Sequence, residues 1–306
     1  LRYAGVKSHL TWIGIRDIPY TYEQVPTPLV DNHMISAYER DNGEIVFLDA
    51  TGYYTPFGMP TSFIQGKEAL ISNGRGKFKV LAVPVIDKEK NLRNDSLILT
   101  LEGDVLFGKG FIESRGYDKI YFVNRLLNET LEKRKEKTKA MLDKGNNKID
   151  FKSVTFFGLD NRDSNLFINY DFKLPDYVKV AGEQIFVNLN LEKDFRSANI
   201  DVKKRKGIPI DNDYKYEERE SNLLLIPKGY EVNYLPANAS FKNDLFGFTI
   251  AYEKKAEQVV MVKNSYINYL LLKEDKFVDF NAMIKELNKA YSEVVVLQKI
   301  TKPIKK

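Results

Sequence analysis

The chain has 306 residues, 47 basic and 42 acidic, for a net charge of +5, and 43% of it is hydrophobic. That length suits two or three domains with ordinary cores, and evenly mixed charge is not a nucleic-acid footprint. Cysteine is absent and histidine occurs twice, as His9 and His33. Disulfides and cysteine-type zinc centres are therefore excluded, and neither a metal nor another cofactor is expected. No apolar run is long enough for a helical membrane span, and no leader peptide is visible.

In chain order, Leu1 to Val6 reads as a helix end with Gly5 as its left-handed cap. His9 to Ile15 alternates as a strand does, with Trp12 read as a core residue. Asp17 to Leu29 holds Pro19, Pro26 and Pro28 beside Tyr20 and Tyr22. The prolines restrict it to extended and turn conformations. Two readings of it stay open, a rigid wall of a substrate groove and a surface connection with its aromatics packed down.

The stretch from Asp31 to Gly52, DNHMISAYERDNGEIVFLDATG, carries the chemistry. His33 to Tyr38 and Glu44 to Leu48 are short apolar runs separated by a charged stretch ending in Asn42-Gly43. Asn-Gly between such runs predicts a hairpin, since both residues tolerate positive φ. An odd-length turn places His33 and Asp49 on one face, opposite or diagonal to each other, within reach of a carboxylate–imidazole contact. That is the base and orienter of a nucleophile–base–orienter triad. Set against it, a lone histidine at a strand start is more often structural, and an aspartate before Ala-Thr-Gly more often opens a turn.

Thr61 to Leu70 holds a short helical turn, and Asn73-Gly74-Arg75-Gly76 marks a boundary. FKVLAVPVI from Phe78, SLILTL, and VLFGKGFIESR follow as strands. The last two are joined at Glu102-Gly103-Asp104, with a bulge expected at Gly108 and Gly110. Tyr117 to Lys144 reads as one helix, with Ile120, Val123, Leu127 and Leu131 on one face and a solvated second half. SVTFFGL, NLFINYDF and EQIFVNLNL are further strands. Asp160 to Asn165 is a polar turn between the first two, since it lacks the glycine and closing glutamate of a calcium loop. Phe195 to Ser221, polar and carrying KKRK at Lys203 to Lys206, reads as an exposed connection. Strands follow at Asn222–Ile226, Tyr230–Leu235, Phe246–Tyr252 and Gln258–Leu272. An amphipathic helix with Met283, Leu287 and Tyr291 and a closing strand at Val294–Leu297 complete the chain, before a lysine-rich end expected to fray.

Several pieces of the first quarter carry a resemblance. They are Leu1 to Val6, Ile15-Arg16-Asp17, Pro26-Thr27-Pro28, Asp31 to Ile35, Phe47 to Thr51, Pro56-Phe57-Gly58 and Ile64 to Leu70. Together they resemble the transglutaminase-like proteins of papain-like fold that bacteria carry at the surface or in the periplasm, flanked by β-sandwich domains. Ile226 to Tyr230 and Leu235-Pro236 resemble that family's C-terminal β domain more loosely.

The resemblance implies the order Cys, His, Asp along the chain, with His33 and Asp49 at the second and third places. The nucleophilic cysteine is missing and would lie upstream of Leu1. The implied protein is a thiol acyl-transfer enzyme, acting by hydrolysis or transamidation on a peptide, protein or cell-envelope amide. It would be periplasmic or secreted, and inactive without its N-terminal half.

The fold class expected is α+β, mostly β: the β half of a papain-like core (1–74), a β-rich region with one long helix (75–215) and a C-terminal β domain with one helix (216–306). The rival reading is a non-catalytic binding or scaffold protein of β-sandwich type.

Overall fold

The computed structural model describes residues 1–300. The lysine-rich end lies outside the described residues. The chain is mostly β, 40% strand and 18% helix, as expected. It divides into two compact units, one of Leu1–Asp87 with Asn161–Ser164, the other of Lys88–Asp160 with Asn165–Lys306. The divisions expected at 74/75 and 215/216 therefore move, because hydrogen-bonded ladders cross both.

Unit 1 is a five-stranded antiparallel sheet. Its strands are β1 (Ser8–Ile13), β2 (His33–Glu39), β3 (Ile45–Leu48), β4 (Glu68–Ser72) and β5 (Phe78–Ala82), in the order β3-β2-β1-β4-β5. β5 pairs with β4 across Asn73–Lys77, so the two-glycine stretch is a hairpin turn rather than a boundary. The helix end expected at the start is a single 3₁₀ turn, Arg2–Ala4, followed by Gly5 at φ 70°. One sheet face carries the core of Ile13, Ile35, Ala37, Phe47, Ala69 and Ile71, closed by Ile64 and Val83. Alternation sends Trp12 and Met34 to the opposite face.

Unit 2 opens with β6 (Leu92–Glu102) and β7 (Val105–Ser114), then helices α1 (Tyr117–Leu126) and α2 (Leu131–Leu142). β8 (Asp150–Phe157), β9 (Leu166–Leu174), β10 (Lys179–Ala181) and β11 (Gln184–Val187) follow, then the one-turn helix α3 (Val202–Arg205) and β12 (Ile210–Asp211). The rest is β13 (Tyr216–Leu225), β14 (Tyr230–Tyr234), β15 (Ala239–Lys242), β16 (Phe246–Lys255), β17 (Gln258–Ile267), β18 (Leu271–Leu272), α4 (Phe277–Tyr291) and β19 (Val295–Lys299). Eight strands form one sheet, β15-β16-β17-β13-β6-β7-β9-β8; four form another, β10-β11-β19-β14; β12 pairs with β18. The large sheet is mixed rather than wholly antiparallel, since β13 runs parallel to β6. A parallel neighbour needs a long crossover, and over a hundred residues separate these two.

Two further expectations fail. The helix expected over 117–144 is two helices. Thr130 caps α2 by accepting from the Lys133 amide, and the Arg134 guanidinium takes the end carbonyls of α1, Leu126 at 2.8 Å and Leu127 at 2.6 Å. Gly108 and Gly110 make no bulge, because the β6–β7 ladder is regular through both.

These glycines make room for rings. A Cβ at Gly110 would stand 2.1 Å from the Tyr170 ring, and one at Gly108 2.3 Å from Phe172. The Tyr170 hydroxyl donates to Asp95 at 2.8 Å, so its ring cannot swing away freely. Gly110→Ala is accordingly expected to destabilise unit 2 by about 1–3 kcal/mol, the cost of overpacking, read from urea denaturation. An unchanged midpoint would mean the ring is not held.

Candidate functional site

His33 opens β2 and Asp49 follows β3 by one residue. The ladder runs from Glu39↔Ile45 to Ser36↔Leu48, so one step further Asp49 faces Ile35 and stands diagonal to His33. The connecting loop has three residues between Arg40 and Glu44. The Arg40 amide donates to the Glu44 carbonyl at 2.9 Å, and the Gly43 amide to the Arg40 carbonyl at 2.9 Å. Only Gly43 takes positive φ, at 82°, while Asn42 does not. The odd-length turn thus comes from one left-handed residue rather than two. Its parity is what brings both side chains to the core face.

The His33 Nε2 lies 3.0 Å from Asp49 Oδ2. A carboxylate only accepts, so Nε2 carries the proton of this contact and the neutral ring keeps a lone pair on Nδ1. Nδ1 takes no hydrogen bond among the described residues. The ring of Phe63 meets the imidazole edge-on, 5.5 Å between centroids. His33 keeps 16% of its side chain exposed and Asp49 2%. The geometry is a buried carboxylate behind a partly exposed imidazole whose second nitrogen is free to accept a proton.

Asp49 is held by more than His33. Oδ1 accepts from the Thr51 amide at 3.0 Å and the Thr51 hydroxyl at 2.6 Å, and Oδ2 accepts from the Thr61 hydroxyl at 2.6 Å. Burial pushes its pKa up, but the donors from Thr51, Thr61 and His33 together outweigh that and hold it below the usual carboxylate range. It stays ionised beside the imidazole. Sequence reasoning missed these partners. Thr51 was legible, since Asp-x-Thr is the spacing of a side chain that turns back on its own backbone. Thr61, twelve residues on, leaves no local signal.

His9 is arranged differently. Its Nδ1 lies 2.9 Å from the Ser72 carbonyl and its Nε2 3.1 Å from Glu39, so both nitrogens are spent tying β1 to β2 and β4. The proline-rich loop is pinned as well. The Tyr22 hydroxyl donates to Asp31, the Tyr22 amide to Glu68 at 2.6 Å, and the Lys67 ammonium to the Ile18 and Tyr20 carbonyls. Burial, with Asp31 second, drives the Tyr22 hydroxyl's pKa up. Tyr22 is thus packed down, as the surface-connection reading expects, while Tyr20 is exposed.

Unit 2 holds a second polar centre. Tyr216 to Ser221 was expected in an exposed connection, yet it is part of β13, between β6 and β17. Arg93 Nη2 lies 2.8 Å from Glu218 and 3.2 Å from Glu192. The wholly buried Lys144 ammonium contacts Asp95 at 2.7 Å and Glu192. Lys263 contacts Glu220 at 2.7 Å and Asp194 at 3.2 Å. Beside this network is a cavity of about 290 Å³, lined by Arg93, Asp118, Tyr121, Tyr214, Tyr216 and Glu218 among others.

Burial pushes the Glu218 carboxyl up to about 8, against the pull of Arg93. Asp194 falls to about 2, because Lys263 and Arg93 outweigh its burial. The native state thus keeps a proton on Glu218 that the unfolded chain, with a carboxyl near 4.5, gives up. This stabilisation is whole below about 4.5 and is lost as pH rises through about 8. Asp194 acts oppositely, losing its contribution as pH falls from its ordinary 3.8 through about 2. Urea denaturation of the chain should show stability declining from pH 5 to 8 and Glu218→Gln flattening that decline. An identical decline in the variant would assign it elsewhere.

Three comparisons bear on this chain. Residues 183–297, roughly its last third, match the family described as "Domain of Unknown Function with solved-structure structure (DUF3858)". No curated protein matches the sequence. Among solved structures, one from Parabacteroides distasonis that is described as a putative protease is similar over 97% of this chain, at 9% identity and a TM-score of 0.46. This chain spans 41% of that protein's length. What the comparisons and the structure establish together is a mostly β chain whose C-terminal third is similar to the DUF3858 family.

Proposed function

We propose that His33 and Asp49 are the base and orienter of a thiol acyl-transfer site of the transglutaminase-like, papain-like kind. The observation that carries this reading is the 3.0 Å contact from His33 Nε2 to a buried Asp49, with Nδ1 left open. The nucleophile would be a cysteine outside these 306 residues, in a longer protein. Its thiol gives a proton to His33 Nδ1 as sulfur attacks an amide carbonyl. Asp49 steadies the imidazolium, and His33 returns the proton to the departing amine. Water or a second amine then takes the acyl group. The substrate class is a peptide, protein or cell-envelope amide, and the setting is periplasmic or secreted.

The test uses the longer protein carrying the upstream cysteine. Its alkylation by iodoacetamide near neutral pH should be fast and should slow in His33→Ala, because the ring draws off the thiol proton. Equal rates in parent and variant would refute the pairing. The present chain alone should show no thiol-dependent turnover.

A second reading, a binding or scaffold module without turnover, is favoured by the absence of cysteine and by the tyrosine-lined cavity in unit 2. Serine or alanine at the nucleophile position of the longer protein would support it, and a cysteine required for activity would exclude it.

A further inference from the structure

Thr51 and Thr61 both donate to Asp49, but they do different things. Thr51 lies two residues away, so its bonds fix the carboxylate only against its own turn. Thr61 lies twelve residues away, at the N-cap of the 3₁₀ turn Ser62–Ile64, and is 4% exposed. Its hydroxyl reaches Oδ2, the oxygen that also receives His33. Two donors on one oxygen share its lone pairs, so the place taken by Thr61 directs where the imidazole proton can land.

We propose that Thr61 is a positioning residue that fixes the His33 proton on Nε2, and that residue 52 is glycine to seat it. This rests on the reading of His33 and Asp49 as base and orienter. A Cβ at Gly52 would stand 2.4 Å from Thr61 Cγ2 and 2.5 Å from Thr55 Oγ1. Gly52 is not among the glycines with positive φ, so it is needed for space and not for conformation. A methyl group there drives the Thr61 side chain, hydroxyl included, away from Oδ2. With that bond lost, the carboxylate can turn, and the alternative ring form with its proton on Nδ1 competes. That form has no lone pair facing an incoming thiol.

The experiment is long-range proton–nitrogen NMR on the present chain labelled with ¹⁵N-histidine, at a pH where the ring is neutral. No turnover is needed, so the result stands apart from the catalytic reading. The parent is expected to show His33 in the Nε2–H form. Thr61→Val, equal in shape, should raise the Nδ1–H share about fivefold, the scale of one ordinary hydrogen bond. Thr61→Ser should match the parent, and Gly52→Ala should resemble Thr61→Val. His9, bound to Glu39 and Ser72, serves as an internal marker of an intact sheet. Unchanged His33 nitrogen shifts in both Thr61→Val and Gly52→Ala, while Asp49→Asn does alter them, would overturn the role of Thr61 alone. Unchanged shifts in Asp49→Asn as well would overturn the underlying pair.

Discussion

Asp49→Ala in the longer, cysteine-bearing protein should lower turnover by about 10³–10⁴-fold, the scale seen when the orienting carboxylate of such a triad is lost. The reason is geometric. Without Oδ2 the imidazole is free to rotate and to carry its proton on either nitrogen, and the imidazolium formed during attack has no partner. The same change should weaken unit 1. It leaves the buried Thr61 hydroxyl and the part-buried His33 N–H without their shared acceptor, at about 1–3 kcal/mol for each donor left buried and unpaired. Turnover and urea midpoint, measured together, separate the two effects. Asp49→Asn keeps the shape, so it should lose rate with a smaller loss of stability.

Lys144→Met should be the most destabilising single change in unit 2, by about 3–5 kcal/mol. The Lys144 side chain has no exposed surface, and its ammonium is shared by Asp95 and Glu192. Burial alone would lower its pKa, but these two carboxylates reverse that and raise it. Removing the cation leaves two buried acids facing each other across an apolar methionine. They can only take up protons or draw in water. A loss of stability below about 1 kcal/mol by urea denaturation would show that the network relaxes more easily than its burial implies. Restoring part of the loss with Lys144→Met/Asp95→Asn would confirm that the uncompensated acid is the cause.

How much of this was legible in the sequence depended on the range of the interaction. The His33–Asp49 contact follows from parity and one Asn-Gly turn, all within 17 residues, so it could be read before any coordinates. The amphipathic helix α4 was equally plain, because Met283, Leu287 and Tyr291 repeat at helical spacing and are all buried. Tyr216 to Ser221 misled for the opposite reason. Glu218 and Glu220 read as solvated, yet their counter-charges Arg93, Lys144 and Lys263 come from distant segments. A polar residue's burial depends on where its counter-charge lies, and composition cannot show that. Gly108 and Gly110 misled in the same way, since the rings that need the space sit on β9. The break between α1 and α2 was locally coded. Thr130 is a good N-cap inside an otherwise continuous pattern, and it was outweighed by the apolar spacing of Leu127 and Leu131.

The division of the chain has the same origin. Loop composition at 73–76 suggested a boundary, but the pairing of β4 with β5 makes it a hairpin. The stretch near 215 carries no boundary because β13 is hydrogen-bonded to β6 on one side and β17 on the other.

The most direct measurement is amine release from a peptide amide by the cysteine-bearing protein, comparing the parent with His33→Ala and with a cysteine-to-alanine blank. If His33 moves the proton, its alanine variant falls to a rate close to that of the blank, although unit 1 remains folded. A His33→Ala protein that releases amine as fast as its parent would contradict the account at its centre.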